Sequence, residues 1–463
     1  MKKKTALVWF RQDLRLEDNP AFSEACFENE QMIALYILDR KISPLGSAQS
    51  WWLHHSLMAL SASLKKIGLH LLLRQGNPIE IIPQLAQEFS VDSVYWNHCY
   101  EPLAIQRAVK IKSLLAHQGI VVKSSNGNLF NEPWKIKNKS GDYFKVFTPF
   151  WNHCMQTMTP PHKMTISNIP KTVSVASERL EDWNLLPKNP NWAAGFAQCW
   201  QPGEAGAQKK LTEFITYHLK KYTIQRDIPA KNATSRLSPH LHFGEISPWE
   251  IWQAIELARL DITCDLPSAD RFIAELGWRE FSYHLLYHFP ELPKANFKAE
   301  FDKFPWHNDD LALKSWQQGK TGYPIIDAGM RELWQTGYMH NRVRMIVASF
   351  LTKDLFIDWR LGADWFLDTL VDADLANNSA SWQWVSGSGV DAAPYFRIFN
   401  PILQSKKFDP LGTYIKQWIP ELAKVDSPFI HEPWNGNIPY YKPIVNHDEA
   451  RTAALHYYQL IKR

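Results

Sequence analysis

The 463-residue chain has only five cysteines, Cys26, Cys99, Cys154, Cys199 and Cys264, scattered and with no C-x-x-C pair. That pattern excludes a cysteine-ligated zinc or iron–sulfur site of the usual spacing. It fits free thiols in a reducing compartment, so the expected location is cytoplasmic. Long apolar runs are missing too, and no stretch is long enough to span a bilayer. The opening MKKKTALVWFRQ resembles a signal peptide only briefly: the apolar run Thr5–Phe10 is short and is ended by Arg11, Asp13 and Arg15. It reads as a buried first strand. There is no G-x-G-x-x-G fingerprint after that strand, so no dinucleotide is expected there in the Rossmann manner. No Ser/His/Asp or Cys/His arrangement offers nucleophilic catalysis. A large net charge is absent as well. At +4 the chain permits a nucleic-acid partner without requiring one, and any basic footprint must be local.

What is present is an ordinary globular composition, 45% hydrophobic and 21% charged, in a chain long enough for two or more domains. Residues 1–130 alternate short apolar runs (Ala6–Phe10, Met32–Leu38, Leu69–Leu73, Val91–Trp96, Ile120–Val122) with helical periodicity over Trp51–Lys66, Pro78–Phe89 and Pro102–Gln118. This predicts an α/β domain with a doubly wound parallel sheet. The loop RQDLRLEDN follows its first strand, and Arg11, Asp13 and Arg15 are expected to form ion pairs tying it to the second domain. Residues 131–200, rich in Pro, Lys, Asn and Ser, read as a long connector with a helical patch around Phe144–Met158. Residues 201–463 read as an all-α domain.

Within that domain the stretch 341–400 is the densest in unusual chemistry. The chain has 21 tryptophans, and Trp359, Trp365, Trp382 and Trp384 fall here. Beside them stand Asp368, Asp372 and Asp374, three acids that could line a cavity, the amides Asn377 and Asn378, and the aromatic segment Tyr395–Phe399. Polar groups set among indoles need partners, which favours a site for a planar aromatic cofactor over indoles used as core filler. Upstream, Ser238-Pro239 reads as a helix cap with Pro at the first helical position, a start that suits a phosphate. Ser247-Pro248 repeats the pattern. His240 and His242, two apart, read as structural. Glu275 and Trp278 share a helix stripe. Buried, Glu275 would stay protonated and donate a hydrogen bond; the plainer alternative pairs it with Arg279 or Arg271. Asn341, Arg344 and Met345 lie at i, i+3, i+4 and face one way, whereas Arg342 points elsewhere.

The blocks VWFRQDLRLEDNPAF, TSRLSPHLHFGEISP, TGYPIIDAGMREL and MHNRVRMIVASFLTKDLFIDWR, in this order, resemble the photolyase/cryptochrome flavoproteins. Among them the chain is most similar to class I, bacterial-type enzymes that repair cyclobutane pyrimidine dimers. The resemblance implies that the helical domain binds FAD. Tyr222, Thr234, Ser235, Arg236, Leu237 and Ser238 would hold it on the diphosphate side, and Phe272 and Arg279 on the flavin side. Asp372, Ala373 and Asp374 would bracket the flavin, with Arg344 paired to Asp372 and Asn378 facing its N5. Trp382, Trp359 and Trp306 match the family's photoreduction chain. Glu275, Trp278, Asn341, Met345 and Trp384 match the dimer pocket, with Glu275 and Asn341 stabilising the dimer. Arg226, Arg342, Arg397 and Gln404, with Lys406 and Lys407, would contact the DNA backbone. The implied reaction is light-driven: reduced, anionic FAD gives an electron to a flipped-out dimer, and the ring splits. The partner is then UV-damaged DNA, with the chain acting as a monomer. A second, antenna chromophore is left open among methenyltetrahydrofolate, deazaflavin and FMN; Leu103 and Ala104 stand where folate-binding members carry an Asn–Glu pair. A cryptochrome-type photoreceptor is the alternative, though plant cryptochromes carry an acid where this chain has Asn378. A (6-4) photolyase is a weaker one, since it would need histidines at 341 and 345.

Overall fold

The computed structural model describes residues 4–40, 45–160, 166, 168–392 and 396–462; Tyr395 lies outside them. Five parallel strands form the N-terminal sheet: β1 (Thr5–Phe10), β2 (Gln31–Leu38), β3 (Leu71–Gln75), β4 (Ser93–Asn97) and β5 (Val121–Ser125), in the order β3-β2-β1-β4-β5. The order reverses between β1 and β4, so the sheet is doubly wound. Helices α1 (Pro20–Glu28), α2 (Ser47–Lys66), α3 (Pro78–Glu88) and α4 (Pro102–His117) make the crossovers. Leu103 and Ala104 fall in the first turn of α4. Helix α1 escapes a search for periodicity because it is only nine residues long. Its signal is local: Asn19 caps it by accepting from Phe22 N, and Pro20 opens it. The connector contributes a short strand, β6 (Lys171–Thr172), parallel to the start of β2, and helix α5 (Phe147–Thr157).

From Glu204 onward the described residues hold helices and no strand. Those that matter below are α6 (Pro248–Arg259), α7 (Leu266–His288), α8 (Pro324–Thr336), α9 (Asn341–Lys353), α10 (Trp359–Thr369), α11 (Leu375–Ser386) and α12 (Pro401–Phe408). None of the described helices is long and apolar enough to cross a membrane.

The loop after β1 does tie the two parts together, but through backbone carbonyls rather than the expected ion pairs. Arg15, wholly buried, donates to Asp18 O at 2.8 Å, Gly127 O at 2.6 Å and Gly244 O at 2.9 Å. Arg11 donates to Asn97 O, and Asp13 accepts from Arg11 N and Asn97 Nδ2. The loop runs so close to Gly244 (φ 64°) that a Cβ there would lie 2.0 Å from Gln12 O. Helix α2 is seated on the helical part in the same way. Ser47 N and Oγ both donate to Asp368 Oδ1, at 2.9 and 2.7 Å. Asp368 therefore caps α2 and does not line the cavity described below.

Glu280 of α7 fixes the start of the connector by accepting from Phe130 N at 2.9 Å and Asn131 N at 3.3 Å. Burial, partly offset by Arg279, pushes its carboxyl up from 4.5 to about 7. Between these values the unfolded chain releases a proton that the folded chain keeps, so stability falls as pH rises through this window. Glu280→Gln keeps an oxygen for both amides and removes the charge. In urea unfolding it is expected to exceed the wild type at pH 8 by up to about 3 kcal/mol and to lose that advantage near pH 4.5. Equal stability of the two at pH 8 would refute the assignment.

Candidate functional site

The face of α7 that carries Phe272, Glu275, Trp278, Arg279, Ser282 and Leu285 lines a cavity of about 580 Å³. The i, i+3, i+4 spacing of these residues puts them on one stripe. Opposite stand α9, whose Asn341, Arg342, Arg344, Met345 and Ala348 reach the cavity, and α11, which contributes Asn377, Asn378, Trp382 and Trp384. The segment Thr234–Ser238, with Tyr222 and Arg226 before it, and the loop Leu370–Asp374 complete the lining. Arg342 thus shares the cavity with its neighbours instead of pointing away.

The polar end is built around Asp372. Its Oδ2 accepts from Arg344 Nη2 at 2.9 Å and from Ser238 Oγ at 2.6 Å. Ser238 is therefore not a cap. It opens a five-residue helix, Ser238–His242, whose cap position is Leu237, and its hydroxyl is spent on Asp372. Arg236, beside it, holds a left-handed backbone (φ 52°) that non-glycine residues rarely adopt, with its guanidinium 5.0 Å over the Tyr338 ring. Asp372 Oδ1 is buried and has no partner among the described residues. Asp374 differs. It caps α11 by accepting from Asn377 N at 2.8 Å, and it also accepts from Asn377 Nδ2 at 2.7 Å and from the Tyr283 hydroxyl. Burial works against its ionisation, but His242, Arg279 and Tyr283 outweigh that and hold it well below the usual carboxylate range. His242, read from the sequence as merely structural, lines the cavity at this point. Asn378 is anchored by donating Nδ2 to Ala363 O at 3.0 Å.

At the other end Glu275 is not a buried, protonated donor. Its carboxylate accepts from Arg226 Nη1 at 2.5 Å, lies 3.3 Å from Arg271 Nη2, and its side chain is 28% exposed. Arg342 pairs with Asp227 at 2.9 Å. Trp278 stacks on Phe147 of α5, ring centroids 3.7 Å apart and planes 8° apart. The connector, to which the sequence reading assigned no chemistry, thus backs this wall.

The residues matched by family models cover both parts of the chain. Residues 6–168 match the DNA photolyase model, and 272–460 match the FAD binding domain of DNA photolyase. A deoxyribodipyrimidine photo-lyase of Agrobacterium fabrum is 48% identical, over 100% of both chains. This chain belongs to the photolyase/cryptochrome family. Cryptochrome-2 of Arabidopsis thaliana is 39% identical, over 97% of this chain and 78% of that protein. The crystal structure of a bacterial class III photolyase from Agrobacterium tumefaciens superposes with a TM-score of 0.95 at 47% identity, covering 100% of this chain and 98% of that one. The expected class I membership is therefore not supported.

The cavity fits the flavin dinucleotide that the matched domain of this family binds. Asp372 Oδ1, without a donor among the described residues, suits a donor from a ligand, and the hydroxyls and backbone of Thr234–Ser238 offer further hydrogen-bonding groups to a dinucleotide. The expected indole chain is only partly at the cavity. Trp382 lines it, and among the described residues its ring contacts are Phe366 at 5.1 Å and Trp316 at 6.3 Å. Trp359 is buried and donates to Asn296 Oδ1 at 2.9 Å, and Trp306 packs on Phe304 at 4.4 Å; neither lines the cavity. Arg397 and Gln404 also lie outside it. Arg397 offers its carbonyl to Lys353, while Lys406 is paired with Glu432 at 2.5 Å. Tyr338, Ser282 and Gln383 line the cavity without having been singled out. Ser282 alone had a readable signal, as it extends the stripe of Trp278 and Arg279.

Gly362 gives Trp382 its place: a Cβ there would lie 2.2 Å from the indole Cη2 and 2.6 Å from Leu351 Cδ2. Gly362→Ala should therefore lower stability by about 1–3 kcal/mol, despite the better helix propensity of alanine, and shift the tryptophan emission. Unchanged stability and emission would show that the indole can move aside freely.

Proposed function

We propose that this photolyase-family chain is a deoxyribodipyrimidine photo-lyase of the class III type, which uses FAD and light to split a cyclobutane pyrimidine dimer flipped out of DNA. The observation that carries this reading is one continuous cavity. Its polar end is set around Asp372 and Arg344. Its lining also holds Trp278, Trp384 and Met345, with Glu275 and Asn341. A flavin-only pocket would have no use for the second group of residues. Bound at the polar end in its reduced anionic form, FAD supplies the light absorption and the electron for ring opening.

The chain's own residues then bind, orient and exclude water. The indoles and the thioether offer flat, polarizable walls to two pyrimidines. Flipping costs less for a dimer than for a normal base, because a dimer stacks poorly. Glu275 and Asn341 are the polar groups beside those walls, able to hydrogen-bond the bases and to stabilise charge developing on them. Arg226, Arg271 and Arg342 stand at the same end and suit DNA phosphates. Arg344, paired with Asp372, fixes charge on the flavin side. Likeness to a plant cryptochrome keeps a photoreceptor as the second reading, and the amide at Asn378 together with this furnished pocket favours repair.

The test is an oligonucleotide carrying one thymine dimer, incubated with photoreduced protein under blue light and in the dark. Light-dependent loss of the dimer is expected, slowed about tenfold in Glu275→Ala, the scale of one hydrogen bond lost in the transition state. Survival of the dimer with flavin bound and photoreduced would overturn repair in favour of the photoreceptor.

A further inference from the structure

Two residues lining the cavity assigned above to FAD are held by a side chain from the α/β part of the chain. Gln49 lies in the first turn of α2 and is buried. Its amide orientation is fixed by two backbone groups of opposite kind: Oε1 accepts from Gly46 N at 3.1 Å, and Nε2 donates to Ala373 O at 2.5 Å. Turning the amide over would set donor against donor and acceptor against acceptor at both contacts. The same Nε2 lies 2.9 Å from His242 Nε2. With its direction already fixed, the amide can only donate there, so His242 Nε2 must be the bare nitrogen. An imidazole with a bare Nε2 carries its proton on Nδ1, and that atom lies 3.5 Å from Asp374 Oδ2 without a hydrogen bond among the described residues. His242, Ala373 and Asp374 all line the cavity.

We infer that Gln49 is a positioning residue of the flavin site: it holds His242 as the neutral Nδ1–H tautomer beside Asp374 and pins the backbone of Ala373 between the two cavity aspartates. The inference rests on the flavin reading of the cavity. The groups around the imidazole make the role of Gln49 necessary. The carboxylate of Asp374, before α11, lies beside the ring, and the half-buried Glu101 at the start of α4 is more distant. The Phe243 ring, at 4.8 Å, is apolar. A second proton would have to sit on Nε2, against the N–H of Gln49. Gln49 therefore withholds from the site an imidazolium that could protonate a reduced flavin, which must stay anionic to act as the electron donor.

The tautomer can be read directly. In full-length, FAD-loaded protein labelled with 15N-histidine, the resonances of His242, identified by their loss in His242→Asn, should show a protonated Nδ1 and a bare Nε2. Gln49→Glu replaces the donor with an acceptor and should move a proton onto Nε2. Gln49→Met removes the donor and should give a mixture. Both variants should hold FAD about tenfold more weakly, the scale of one buried hydrogen bond. A wild-type His242 protonated on Nε2 would overturn the inference, as would a tautomer unmoved by both substitutions. A wild type with bare Nε2 that binds no FAD would instead count against the flavin reading and leave the tautomer assignment standing.

Discussion

A Cβ on Gly46 would lie 1.9 Å from the carbonyl oxygen of Leu367, so only glycine lets the start of α2 reach the helical part of the chain. Much of the site depends on that approach. It brings Ser47 to Asp368, Gln49 to Ala373 and His242, and Trp52 Nε1 to Glu245 Oε1 at 3.0 Å. The contacts to Asp368 and Ala373 hold the segment 368–374, whose last residue caps α11. Helix α11 in turn carries Asn378, Trp382 and Trp384 to the cavity. The geometry of the chemistry is thus set partly by a helix of the other domain, whose neutral donors reach carboxylates, a backbone carbonyl and an imidazole of the helical part.

The two cavity aspartates show how burial and partners divide roles between chemically equal groups. A buried carboxylate is costly unless paired and hydrogen-bonded. Asp374 meets that cost within the protein, with Asn377 and Tyr283 as donors, and so serves structure first. Asp372 has one oxygen satisfied by Arg344 and Ser238 and the other left without a donor. An orphaned carboxylate oxygen costs on the order of 1–3 kcal/mol or more, which a ligand donor would recover.

The strands and main helices of the α/β part were legible because apolar runs and helical periodicity are properties of neighbouring residues. Of the cavity face of α7, spacing marked only the shared stripe of Glu275 and Trp278, and Phe272 and Arg279 were named by resemblance. What the sequence concealed depended on partners far along the chain. Ser238 has the local form of a cap, yet its hydroxyl goes to Asp372, 134 residues away. Arg342 was assigned outward from helix geometry alone, which cannot show that Asp227 and the cavity stand on its side. Phe147 lies in a connector without periodicity, and nothing local marks it as the backing of Trp278. Strand β6 has only two residues, too few for any pattern. The flavin-side residues were named by family resemblance, since periodicity alone could not select Asp372 over Asp368.

The ion pairs around Asp372 and around Glu275 differ in their access to water. Asp372 is nearly inaccessible, with a side chain 3% exposed, and its pairing with Arg344 is backed by Ser238 and by Arg344 Nε donating to Met339 O at 2.7 Å. Breaking such a pair leaves a buried charge and costs about 3–5 kcal/mol, so this end is preformed. Glu275 is 28% exposed, and its partners Arg226 and Arg271 stand toward solvent by 11% and 50%. The Arg271–Glu275 pair, open on both sides, is screened and worth about 1 kcal/mol or less. Three guanidinium groups, Arg226, Arg271 and Arg342, here face two carboxylates, Glu275 and Asp227, leaving an excess positive charge at the mouth. On the repair reading, a DNA phosphate can draw a guanidinium away at little cost, and the carboxylate it releases is the one beside the dimer walls. Rigidity at the cofactor end and exchangeable pairing at the substrate end then follow from one difference, the access of water.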